Sequence, residues 1–179
     1  MSDAVYNEFL AKQLQEGKQL AAASDILTID TVETDSGLPD TYVVALECRG
    51  ALLNPDRSVQ IRVARFQFGV RFPMDYLRVA EHDMVVTWLG PLNVYSPHVA
   101  VPGITAPGGA LPFPAICIGE IASGTTLIDL IYRCYEIITY VNFAPHDPLN
   151  EDAARWARQN LDLFPTDCRP LKRPSKRRK

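Results

Sequence analysis

Between residues 26 and 89 apolar side chains recur at every second position, in runs short enough to be strands, and on either side the period lengthens to that of a helix. A chain with one block of alternation bracketed by helical patterns has few ways to bury both. Ile26 to Thr34 alternates, and Ser36-Gly37-Leu38-Pro39-Asp40 marks a turn. Tyr42, Val44, Leu46 and Cys48 line one face of a second strand. Asn54-Pro55-Asp56-Arg57 is the next turn, Val59 to Val70 alternates again, and Met84 to Leu89 is a short fourth strand. Before this block, Val5, Phe9, Leu10, Leu14 and Leu20 recur at helical spacing with Glu8, Lys12, Gln13 and Glu16 between them, predicting an amphipathic helix over 4–23. After it, Leu127, Leu130, Ile131, Cys134, Ile137, Ile138 and Val141 form one apolar stripe, predicting a helix over 126–141. Asn150 has the position of an N-cap for a second late helix, over 151–160, with acids in its first turn. The order helix, four strands, long loop, helix, helix predicts an α+β domain with an antiparallel meander.

The long loop is residues 97–114, where five prolines and three glycines predict irregular backbone. No internal repeat is visible. At 179 residues, 47% hydrophobic and 22% charged, the chain fits a single globular domain. The net charge of −3 conceals an asymmetry, because residues 169–179 hold seven Lys/Arg and no acid. Without them 11 bases face 21 acids. That balance argues against a nucleic-acid-binding fold, and the sequence divides into a domain over 1–165 and a basic tail over 166–179 expected to be disordered. No run of roughly 18 uncharged apolar residues exists to span a membrane. The polar N-terminal stretch carries no signal-peptide pattern, so a cytoplasmic protein is expected. Cys48, Cys117, Cys134 and Cys168 form no CxxC pair, and His82, His98 and His146 lie far from metal-ligand spacing, so no metal site is expected.

Five local segments then occur in a telling order. Phe72-Pro73-Met74-Asp75-Tyr76 follows the third strand, and Tyr95-Ser96-Pro97-His98-Val99 precedes the loop. Ile116-Cys117-Ile118 follows the loop, Leu127-Ile128-Asp129-Leu130-Ile131 opens a helix, and Asp147-Pro148-Leu149-Asn150 opens the next. In this order, with thirty residues from Cys117 to Asp147, they resemble ubiquitin-conjugating enzymes over about residues 4–160. The histidine and asparagine of the family's Tyr-His-Pro-Asn motif are Ser96 and His98 here, and the tryptophan after the cysteine is absent. The loop before the cysteine is longer than in eukaryotic relatives, and the family's two last helices are missing. In these departures the chain is similar to the divergent conjugating enzymes of bacterial ubiquitin-like operons, several of which serve antiphage defence.

The resemblance implies a fold and an activity. Cys117 would accept a ubiquitin-like protein as a thioester from a separate activating enzyme and pass it to an amine of a protein target. Sulfur suits both halves, being a strong nucleophile and a good leaving group. Asp147 would help the incoming lysine lose its proton, since free lysine titrates near pH 10.4. His98, in the place of the family's asparagine, would donate a hydrogen bond to the oxyanion, with Asn93 and Asn142 as possible substitutes that nothing in the spacing selects. No glycine-rich nucleotide loop is present, so ATP would be used by the activating partner and no cofactor is expected. Bland readings stand beside these: a buried Cys117, a helix-flanking Asp147, a loop His98 without a role. Cys48 and Cys134 fall on apolar faces and read as core, and Cys168 as exposed and incidental. Two rival functions remain, a catalytically inactive binding module of the same fold and a thiol hydrolase built on Cys117, His146 and Asp147.

Overall fold

The computed structural model describes residues 3–32, 37–79, 85–101, 105–106, 109–110, 114–142 and 148–174. An N-terminal helix, α1 (Asp3–Ala22), leads into four strands, β1 (Leu27–Thr31), β2 (Thr41–Leu53), β3 (Val59–Arg71) and β4 (Val86–Gly90). These form one antiparallel sheet in the order β1-β2-β3-β4. Short strands β5 (Val99–Ala100), β6 (Thr105–Ala106), β7 (Gly109–Ala110) and β8 (Ala115–Ile116) follow, and then helices α2 (Leu127–Ile138) and α3 (Glu151–Gln159) and a 3-10 turn at Leu161–Leu163. The α+β meander expected from the alternation is present.

The register explains the alternation. Tyr42, Val44, Leu46 and Cys48 of β2 stand opposite Val70, Phe68, Phe66 and Ala64 of β3. All but Ala64 are buried, on one face of the pleat. Against that face lies α2, whose stripe is buried from Leu127 to Ile138. A reciprocal capping box starts the helix: the Thr126 hydroxyl accepts from Asp129 N–H (3.2 Å) while the Asp129 carboxylate accepts from Thr126 N–H (3.1 Å). Helix α1 approaches α2 closely at Gly17, where an added Cβ would sit 3.0 Å from Leu127 Cδ2.

Three expectations are modified. Gln13, grouped with the polar face of α1, is fully buried. Its Oε1 accepts the N–H of Leu127 (2.8 Å), one of the unpaired donors of the first turn of α2. The loop before Cys117, expected to be irregular, contains pairing: β5 runs antiparallel to β8, and β6 to β7.

The third concerns residues 166–174, which the sequence assigned to a disordered tail. They run back along the sheet, with Thr166, Asp167 and Leu171 buried. The reason is an unfinished edge. Strand β1 has five residues and β2 thirteen, so β1 pairs with β2 only as far as Leu46. Beyond it, the edge groups of β2 would lack partners. The Asp167 carboxylate accepts Arg49 N–H (2.8 Å), the Thr166 hydroxyl donates to the Arg49 carbonyl (2.7 Å), and Arg169 Nη2 donates to the Glu47 carbonyl (2.9 Å). Further along the same edge, Tyr95 N–H donates to the Ala51 carbonyl (2.9 Å) and Leu53 N–H to the Asn93 carbonyl (2.8 Å).

Candidate active site

Cys117 follows directly on β8, and strand alternation decides where it points. Ile116 is buried, Cys117 exposed and Ile118 half-buried. Pairing extends one residue past the strand, because Cys117 N–H donates to the His98 carbonyl (2.8 Å). Downstream the chain turns at Gly119, whose φ of 79° lies in the left-handed region. Ile121 is then buried, and Arg133 Nη1 of α2 donates to the Glu120 carbonyl (2.8 Å). An exposed thiol is thus held on backbone fixed from both sides.

The segment facing it is held just as firmly. Tyr95 is bonded to Ala51 as above, and the Tyr140 hydroxyl donates to the Tyr95 carbonyl. Ser96 is buried, and its hydroxyl accepts His98 N–H (3.4 Å). The Pro97 carbonyl accepts from Asn150 N–H (3.1 Å) at the start of α3. That helix is capped as expected, the Asn150 side chain accepting Ala153 N–H (3.0 Å).

Between these two walls lies a cavity of about 230 Å³ lined by His98, Cys117, Ile118, Gly119, Ile137 and Asn142. Asn142 reaches it from the far end of α2. There Tyr140 takes a left-handed conformation (φ 61°), and Asn142 N–H returns to the Glu136 carbonyl (3.1 Å). This unusual backbone is braced by a cluster of rings, with Tyr140 stacked on Phe164 at 4.3 Å and edge-on to Trp156 at 5.9 Å. The same hydroxyl that bonds Tyr95 belongs to this cluster, so one aromatic group braces both the Tyr95 segment and the turn that carries Asn142.

His98 and Cys117, chosen separately from sequence, are therefore brought together, and Asn142 joins them. Asn93 does not: its amide donates to the Leu53 carbonyl (3.0 Å) and closes the end of β2. Asp147 and His146 lie outside the described residues. The remaining cysteines divide by burial. Burial pushes the Cys48 thiol up to about 12, with the neighbouring Asp167 carboxylate adding to the rise. Cys134, wholly buried on α2, is also pushed well up by burial. Cys168 is exposed on the return at 166–174 and is not among the residues that line the cavity. Among the described residues no group of three or more His, Cys, Asp or Glu is placed to hold a metal ion, and no helix is long and apolar enough to cross a membrane.

Chemically, the site offers a reachable sulfur nucleophile beside a small cavity with two polar side chains and an apolar floor. No protein-family model matches the chain, and no curated protein does.

Proposed function

We propose that this protein is a conjugating enzyme of the ubiquitin type. In this reading Cys117 receives the C-terminal acyl group of a ubiquitin-like protein from the thioester of an activating enzyme. It then yields that group to an amine of a protein target. Each transfer is an acyl substitution: a C–S bond forms and another breaks in the first, while in the second a C–N bond forms as the Cys117 thiolate leaves and the amine gives up a proton.

One observation carries the reading. Cys117 is exposed and lines a cavity bearing hydrogen-bonding side chains, whereas Cys48 and Cys134 are buried and Cys168 is not among the residues lining that cavity. A flexible C-terminal tail is the shape of substrate such a site suits, since the thiol sits on the surface and the cavity is too small for a folded partner. The proposed fold is that of the conjugating family, supported by the helix, meander, loop and helix order. A cytoplasmic setting and a role in bacterial antiphage defence belong to the same proposal.

Incubation with the cognate activating enzyme, ATP and modifier is expected to give a covalent adduct that thiol reagents cleave and that is lost in Cys117→Ala. An adduct that persists in Cys117→Ala would remove the assignment. Binding of the modifier without any adduct would favour the inactive-scaffold alternative.

A further inference from the structure

When a thiolate adds to a thioester, the carbonyl π pair moves onto oxygen, and a donor aimed at that oxygen lowers the barrier. The sequence nominated His98 for this task. In the structure His98 is half-buried and its backbone is engaged, the main-chain N–H donating to the Ser96 hydroxyl and the main-chain carbonyl accepting from Cys117 N–H. Asn142 lines the same cavity as Cys117, is exposed, and makes no side-chain hydrogen bond to any described residue. Its carboxamide presents two N–H donors and carries no charge at any working pH. The left-handed turn at Tyr140 and the bond from Asn142 N–H to Glu136 fix the backbone that presents it.

We propose that Asn142 is a catalytic residue, donating from its carboxamide to the acyl oxygen while the acyl group is carried onto and off Cys117. The proposal rests on the acyl-transfer reading above. In the step itself the Cys117 thiolate bonds to the carbonyl carbon and the oxygen becomes anionic. The C–S bond to the donor then breaks, and the departing sulfur takes up the proton that Cys117 lost. Asn142 supplies no proton and no electron; it stabilises the intermediate.

Two reactions at one sulfur separate this role from mere support. Acyl uptake from a small thioester of N-acetylglycine passes through an oxyanion, whereas alkylation by iodoacetamide does not. Both depend on the thiolate, so their ratio cancels accessibility and thiol ionisation. Cys168, exposed but absent from the cavity lining, is the reference within the same molecule. Peptide mass mapping of the full-length protein is expected to give a higher acylation-to-alkylation ratio at Cys117 than at Cys168. Removing a buried oxyanion donor lowers rates by about 10²–10³, and an exposed one should count for less, so Asn142→Ala and Asn142→Asp should lower the Cys117 ratio on the order of tenfold. Cys168 should be unchanged.

The ratio should also stay flat across pH, because the carboxamide donor does not titrate. The proposal is overturned if the two cysteines show equal ratios in the wild-type protein. It is also overturned if both Asn142 variants keep the wild-type ratio, or if only His98→Ala lowers it. The small thioester needs no partner protein, so these outcomes are legible even where charging by an activating enzyme fails and the conjugation reading falls.

Discussion

Replacing Asp167 by asparagine should unlock the return of the chain along β2, and the cost can be worked from the structure. The Asp167 side chain is 3% exposed and accepts Arg49 N–H, Arg169 N–H and the Arg169 guanidinium, whose Nη2 lies 2.6 Å away. Burial alone would raise its pKa, but the hydrogen bonds from Arg169 and Arg49 outweigh it and hold the carboxyl at about 2, against an ordinary 3.8. A depression of that size corresponds to about 2 kcal/mol of folding free energy near neutral pH. For a chain of this length that is a fall of roughly 4–8 °C in Tm at pH 7 for Asp167→Asn. The sign fixes the pH window. A carboxyl with a lowered folded pKa stabilises above its unfolded pKa, and loses that effect as pH falls through the folded value. The gap between wild type and variant should therefore be full above about pH 5 and close between about pH 4 and pH 2. Thermal melts across that range measure it. A Tm within about 1 °C of wild type at pH 7, or a gap undiminished at pH 2, would refute the reasoning.

Native-state alkylation should modify Cys117 and Cys168 and spare Cys48 and Cys134 until the protein is unfolded. At Cys48 a rise from 9.0 to about 12 leaves about 10³-fold less thiolate, so labelling of Cys48 alongside Cys117 would contradict the placement. Gly50→Ala would put a Cβ 2.5 Å from Phe66 Cζ and 3.3 Å from the Ile138 carbonyl, and Phe66 is fully buried. An overpacking loss of about 1–3 kcal/mol is expected in urea denaturation, and an unchanged midpoint would show that Phe66 can yield.

How much of this was legible depended on the range of the interaction. The stripe from Leu127 to Ile138 and the cap at Asn150 are local patterns, and the structure realises both. The burial of Gln13 is not local, because the group that needs it is the N–H of Leu127, 114 positions away. Residues 166–174 misled for a similar reason. Their basic and proline-rich composition resembles a solvated tail, while the determining fact is the shortness of β1 beside β2. In the candidate site, Cys117 and His98 could be chosen from the segments around them. Asn142 was named with Asn93 but nothing in the spacing selected it, since its arrival depends on a left-handed tyrosine held by rings from residues 156 and 164.

The central claim is that the Cys117 sulfur carries another protein's C-terminus. A Cys117→Lys variant, incubated with activating enzyme, ATP and modifier, offers an amine where the thiol stood and should trap the transfer as a stable amide. The account expects mass mapping to place that amide at position 117, resistant to thiol reagents. An amide at another lysine with position 117 unmodified, or no conjugate while the activating enzyme is itself charged, would contradict it.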